Sequence, residues 1–193
     1  MPYVGIIGKK DRHLMRKLTH QKIVERQKLR SQQPRLPVCV VLNDIRSLYN
    51  VGSIFRTCDG AGFEKIWLCG ITGYPPQAEI AKIALGAEER VPWEYRKDAC
   101  ALIKELKRRH YRIILLEQTE ESVPFQDFTA EAPLCLVIGN EIGGISDEIA
   151  ELCDTAVEIE MAGIKNSLNV SVAFGIVAYH FRHCLNKTIS FQK

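Results

Sequence analysis

No stretch of these 193 residues is apolar for long enough to cross a membrane; the longest candidate, within 168–181, is broken by Asn169, Ser171 and His180. The opening MPYVGIIGKKD lacks a basic region ahead of an apolar core and does not read as a secretory signal. CxxC pairs are missing too. The seven cysteines (39, 58, 69, 100, 135, 153 and 184) stand singly and mostly in apolar runs. Such spacing argues against a disulfide framework or a zinc site and for buried thiols in a cytoplasmic protein. There is no Walker A sequence, internal repeat or low-complexity segment. Gly60-Ala61-Gly62 begins like a dinucleotide fingerprint, but Lys65 stands where the third glycine belongs, and the triplet closes a helix instead of opening one. His180, His183 and Cys184 recur at i, i+3, i+4 with no carboxylate nearby, so no metal is expected. Ser167 lacks a nucleophile elbow, and no histidine lies near the strand-end loops, which leaves serine-hydrolase chemistry unsupported.

What remains is a composition of 46% hydrophobic and 25% charged residues, enough for one α/β domain with a full core. Charge is unevenly placed. Residues 9–35 hold ten Lys and Arg against Asp11 and Glu25, in a chain whose net charge is only +3, so the rest is net acidic. A basic arm on an acidic body points to a polyanionic partner; a solvated helix face is the competing reading, and at this point both stay open. The arm is read as a domain of its own, 1–36, containing a helix over 11–32 that Pro34 and Pro37 end.

From residue 37 onward, strands and helices alternate. Val38–Leu42 is a short continuous apolar run, as in a strand buried on both faces. From Asn50 the pattern turns helical, with Val51, Ile54, Phe55 and Cys58 at i, i+3, i+4, i+7 and a glycine stop at Gly60/Gly62. The first turns of this helix present Asn50, Gly52, Ser53 and Arg56, a good seat for a phosphate; an Asn cap with a surface arginine is the competing reading, and the segment by itself leaves both open. Strands are expected at 65–69, 91–95 (brief), 112–117, 134–138 and 156–161, and helices at 78–85, 98–109, after Ser146, and 168–185. The alternation predicts an α/β domain over 37–193 with a mainly parallel sheet flanked by helices. Two of the expected strands, 134–138 and 156–161, run into polar, glycine-containing loops, which is where ligands bind in such sheets. The last helix is apolar nearly all round, which argues for a subunit interface as well as a core.

Three segments in order, NDIRSLYNVGSIFRTCDGAG (43–62), LVIGNEIGGI (136–145) and IEMAGIKNSLNVSVA (159–173), resemble the motifs of the SpoU (TrmH-type) branch of the SPOUT RNA methyltransferases. The chain departs from the family at Glu160, where proline is usual, which bears on the rigidity of that loop. The resemblance implies a deep C-terminal trefoil knot, a homodimer, S-adenosyl-L-methionine as cofactor, and methyl transfer to a ribose 2′-hydroxyl of RNA. By motif position it implies a cofactor pocket from Gln118, Gly139, Ile159, Met161, Ser167 and Leu168. Asn50, Arg56, Glu141, Ser167 and Asn169 are the implied catalytic set. Arg46 and Arg56 in the first motif, with Arg26, Lys28 and Arg30 in the arm, are the candidate RNA contacts. The short chain with its basic arm favours tRNA over rRNA as substrate. The alternatives are an rRNA enzyme of the same family, a non-catalytic RNA-binding relative, a base methyltransferase of another SPOUT branch and an unrelated α/β protein with a basic tail.

The arm makes one prediction. Neutralising Arg26, Lys28 and Arg30 together is expected to weaken RNA binding and to flatten its dependence on log salt by up to about three units. A titration in which affinity and salt slope are both unchanged sinks that role.

Overall fold

The structure is a computed structural model and describes residues 16–140 and 142–191. The chain divides after Pro34 into two units. The described part of the first is one helix, α1 (His20–Ser31), capped by Thr19, whose hydroxyl accepts from the Lys22 amide at 3.4 Å. It is shorter than the expected 11–32 helix: Thr19 takes an extended conformation, and residues 16–18 before it are not helical. Residues 11–15 lie outside the described residues.

The second unit is built on a seven-stranded sheet. In chain order its elements are β1 (Leu36–Asn43), α2 (Leu48–Ala61), β2 (Phe63–Cys69), α3 (Ala78–Ala84), α4 (Ala87–Arg90), β3 (Trp93–Arg96) and α5 (Ala99–Arg108). Then follow β4 (Arg112–Leu116), β5 (Val123–Pro124), β6 (Leu134–Ile138), α6 (Asp147–Ala150), β7 (Thr155–Glu158) and α7 (Val170–Phe191). The strand order is β3-β2-β1-β6-β4-β7-β5, and every neighbouring pair is parallel. This is the α/β, mainly parallel sheet that the alternation predicts.

Strand periodicity sorts the core into two faces. Val38, Val40 and Leu42 of β1, with Leu134, Leu136 and Ile138 of β6, point toward α2 and α7 and meet Val51, Ile54, Phe55, Phe174, Val177 and Phe181. Cys39, Val41, Cys135 and Val137 point the other way, toward Leu102, Ile103 and Leu106 of α5. Phe63 and Phe174 meet edge to face at 5.9 Å, which joins β2 to α7. Helix ends follow the local chemistry. Asp98 caps α5 by accepting from the Ala101 amide at 3.0 Å, and Gly62 ends α2 in the left-handed region, at φ 76°.

Several expectations change in detail. The connector 120–133 contains β5, a two-residue edge strand beside β7 that tolerates Pro124 because it lies at the margin of the sheet. An unforeseen short helix, α4, follows Gly86. Ser146 stands at the start of α6, but its side chain makes no capping hydrogen bond. β7 ends at Glu158, so residues 159–161 are loop, and α7 starts at Val170, because Asn169 caps it.

No two of the seven cysteines are joined by a disulfide. Burial pushes the Cys58 and Cys135 thiols well up and that of Cys69 to about 12, so these thiols pack as small apolar groups. His180 lies with Nε2 at 2.9 Å from the carbonyl of Phe128. Among the described residues no group of three or more His, Cys, Asp or Glu side chains is placed to hold a metal. Among them, too, no helix is long and apolar enough to cross a membrane.

Candidate active site

Because the strands are parallel, the loops after β1, β4, β6 and β7 all emerge at one edge of the sheet. Those after β4, β6 and β7, with the segment leading into α7, enclose a cleft of about 360 Å³. Its walls come from Leu116–Gln118 after β4, Ile138–Asn140 after β6, Ile159 after β7, and Asn166–Leu168 leading into α7.

The loop after β6 is a small, tightly closed structure. Asn140 and Gly144 exchange backbone hydrogen bonds (3.1 and 2.9 Å), and the Asn140 Oδ1 accepts from the amides of Ile142 (2.8 Å) and Gly143 (3.0 Å). Its Nδ2 donates to the carbonyl of Asp44 at 2.9 Å, tying this loop to the one after β1. Asparagine does this readily because its short amide mimics a backbone turn. Glycine is required at Gly139: a Cβ there would sit 2.6 Å from the Gly144 carbonyl oxygen and from Ile145. Gly144 has φ +61°, and a Cβ on it would lie 2.8 Å from the carboxylate of Glu117. At these two positions the lining of the cleft is bare backbone.

Two further amides join the remaining loops. Gln118 donates through Nε2 to the carbonyl of Asn166 at 2.7 Å, spanning from the end of β4 to the segment before α7. Asn169 accepts through Oδ1 from the amide (2.9 Å) and hydroxyl (2.7 Å) of Ser171, which caps α7. Its Nδ2 donates to Oδ1 of Asn50 at 3.1 Å. The residues that open α2 and α7, 119 positions apart, are thus hydrogen-bonded to each other. The Ser47 hydroxyl accepts from the Asn50 amide at 3.3 Å and completes the start of α2.

Of the residues singled out from sequence, Gln118, Gly139, Ile159, Ser167 and Leu168 line the cleft. Asn50 and Asn169 meet beside it. Met161 is half-buried and is not part of the cleft lining. Arg46 is exposed in the loop between β1 and α2. Arg56 is exposed on α2, about 9 Å along the helix axis from Asn50 at 1.5 Å per residue. Glu141 lies outside the described residues. Arg26, Lys28 and Arg30 belong to α1, in the other unit. Sequence reasoning passed over Asn140, Glu117 and Asp44. The signal for Asn140 was present, as an asparagine closing a strand just ahead of Gly143-Gly144. The role of Asp44 was hidden in its backbone: it holds φ +58° and accepts from the Ile71 amide at 2.8 Å.

Residues 37–179 match the SpoU rRNA Methylase family. The chain belongs to this family. It is 34% identical over 141 residues to a tRNA (guanosine(18)-2′-O)-methyltransferase of Aquifex aeolicus, covering 72% of this chain and 66% of the relative. It is 33% identical over 144 residues to the 23S rRNA (guanosine-2′-O-)-methyltransferase RlmB of Ralstonia nicotianae, covering 74% and 57%. Among solved structures, this SpoU-family fold superimposes on the A. aeolicus TrmH/SpoU tRNA modifying enzyme with a TM-score of 0.77 at 28% identity, over 90% of this chain and 87% of that one. The AdoMet-bound rRNA methyltransferase of Sinorhizobium meliloti gives 0.72 at 28% identity, over 81% and 60%. The matches span 57 to 66% of the length of curated relatives such as these.

Replacing Asn140 by alanine removes three side-chain hydrogen bonds at the mouth of the cleft. The expected result is exchange of the Ile142 and Gly143 amide hydrogens faster by about tenfold or more, read by hydrogen-exchange NMR, with β-sheet amides unaffected. Unchanged exchange at those two amides contradicts this account of the loop.

Proposed function

We propose that this SpoU-family protein is an S-adenosyl-L-methionine-dependent RNA methyltransferase that acts on a ribose 2′-hydroxyl. The observation that carries the reading is the convergence of three sequence segments, 43–62, 136–145 and 159–173, on one edge of the sheet, with Asn50 and Asn169 hydrogen-bonded across it. Family membership and the fold likeness to methyltransferases support it.

The cleft fits the cofactor on two counts. Its volume of about 360 Å³ falls within the roughly 300–1,000 Å³ of small-molecule sites. Its floor at Gly139 and Gly144 has no room for side chains, which leaves backbone groups to face a ligand. Gly139, Gln118, Ile159, Ser167 and Leu168 would hold the cofactor, with Met161 in the adjoining loop. When bound, the cofactor supplies an electrophilic methyl group on a sulfonium.

The chain's own residues then have distinct tasks. Asn50 and Asn169, held to each other and to the starts of two helices, keep donors and acceptors in fixed directions where the ribose must lie. Ser167 and Glu141 belong to the same motif segments and position the acceptor. Arg56, exposed on α2, binds the phosphate of the target nucleotide. Arginine as a residue type keeps its proton in proteins, so the hydroxyl proton goes to a phosphate oxygen or a water that Arg56 orients. Arg46 and the basic arm 1–36 add sequence-independent affinity for the RNA backbone. The domain over 37–193 carries the chemistry. A tRNA substrate is favoured over rRNA, supported by the likeness to the A. aeolicus tRNA enzyme. A cytoplasmic location suits cysteines that form no disulfide and an RNA substrate.

The same reading includes the trefoil knot, supported by β6 lying between β1 and β4 while the loops after β4, β6 and β7 crowd one cleft; an experimental chain trace through 117–170 tests it. It also includes a homodimer. Val172, Ile176 and Tyr179, at i, i+4 and i+7 of α7, are 51%, 37% and 52% exposed, an apolar stripe that a second copy would cover.

The central test is transfer of label from S-adenosylmethionine to unmodified tRNA and rRNA pools, followed by nuclease digestion and mass analysis to place the methyl group. Label on a ribose in the tRNA pool, reduced by about a hundredfold or more in Arg56→Ala, is the expected outcome. Label on a base, or none in either pool, removes the proposal. For the dimer, Ile176→Glu is expected to give a monomer by sedimentation velocity; a wild-type protein that is already monomeric refutes the interface.

A further inference from the structure

Neutral amides tie the loops of the cleft together, yet its lining is not neutral. Among the described residues around it, Glu117 and Glu158 are acidic, and none is lysine, arginine or histidine. Both acids are half-buried, and neither forms an ion pair with another described residue.

The carboxylate of Glu117 is fixed in the wall. Its Oε1 accepts from the Gln118 amide at 3.0 Å. Its Oε2 lies over Gly144, 2.8 Å from where a Cβ on that glycine would stand. Gln118 and Gly144 both line the cleft, so the carboxylate is set between two lining residues. The oxygen over Gly144 is also open. Among the described residues, the buried side-chain nitrogens and oxygens without a partner are Trp67 Nε1 and Glu88 Oε2, and Glu117 contributes none. Glu158 ends β7 beside Ile159 of the lining, and its carbonyl is held by the Phe125 amide at 2.9 Å. A partly desolvated anion without a counter-charge is unfavourable, and a bound cation relieves it. A phosphate-bearing ligand would be repelled.

We propose that Glu117, with Glu158, biases the cleft toward the sulfonium of S-adenosylmethionine and against the uncharged sulfur of S-adenosylhomocysteine. This deepens the methyltransferase reading and rests on its cofactor. The two ligands share adenosine, amino and carboxylate groups, so those contacts cancel when their affinities are compared. They differ by one methyl group and one positive charge. The charge falls to the two acids, because every other described lining residue is neutral. Coulomb attraction declines only as the inverse of distance and is screened less in a partly desolvated cleft than in water, so no direct contact is required. The bias favours exchange of spent cofactor for fresh.

The test is calorimetric titration of the full chain with S-adenosylmethionine, S-adenosylhomocysteine and sinefungin, in which an aminated carbon replaces the methylated sulfur and carries a positive charge of its own. Glu117→Gln and Glu158→Gln each remove one charge and keep an acceptor oxygen, so the Gln118 amide stays paired. Each is expected to lower the ratio of S-adenosylmethionine to S-adenosylhomocysteine affinity by about threefold, and the double variant by about tenfold. Affinity for S-adenosylhomocysteine is expected to stay within about twofold, and sinefungin to follow S-adenosylmethionine. A cooperative thermal transition confirms that the variants fold; should one single variant fail that check, the other carries the comparison. A ratio that the variants leave unchanged, an equal loss for both ligands, or sinefungin following S-adenosylhomocysteine overturns the proposal. If label still passes to RNA in those cases, the charge selection alone falls. A wild-type protein that binds none of the three ligands removes the cofactor reading together with the proposal. A carboxylate-dependent ratio in a protein that transfers no label leaves the selection standing and removes the RNA methyltransferase reading.

Discussion

Parallel strands cannot be joined by tight turns, so each connection must carry the chain back across the layer before the next strand begins. Every strand in this sheet runs the same way, and that constraint governs the rest of the molecule. It gathers the loops after β1, β4, β6 and β7 at one edge, although they are far apart in sequence. It also buries β1 and β6 on both faces, and these strands accordingly read as near-continuous apolar runs, with helices packed on either side.

At that edge the structure trades side chains for backbone. Gly139 and Gly144 leave no space for a Cβ, and Asn140 closes the intervening loop on itself while holding the loop after β1. Amide side chains make the longer links, Gln118 to Asn166 and Asn169 to Asn50. Short, uncharged and bifunctional, amides can satisfy a donor and an acceptor at once without carrying an unpaired charge into a partly buried site. The cleft is thus tied together by neutral amides, while Arg46 and Arg56 of the first motif segment are exposed outside its lining.

Charge elsewhere is used structurally. Asp154 accepts from the Ile113 amide at 2.8 Å and from Lys107 at 2.6 Å, anchoring β4 against the end of α5. Partial burial alone would raise its carboxyl, but the amide and the ammonium outweigh it and hold the group below the usual aspartate range. A depressed carboxyl contributes stability above the ordinary aspartate pKa and loses it as pH falls through the lowered value, so this anchor is intact at neutral pH.

Much was legible in the residues themselves. Local rules determined where strands and helices fall, because apolar period and capping act over a few positions: Asp98 caps α5, Gly62 stops α2, and the continuous apolar runs became β1 and β6. The three motif segments identified the family and most of the cleft lining, since glycines and amides at loop positions carry their own backbone logic. Tertiary structure alone decided the strand order, the hydrogen bond between Asn50 and Asn169, the hold of Asn140 on Asp44, and the setting of Glu117 over Gly144. Those depend on which distant segments become neighbours. No sequence window spans such a contact, so its geometry exists only once the parallel sheet has brought the chain together.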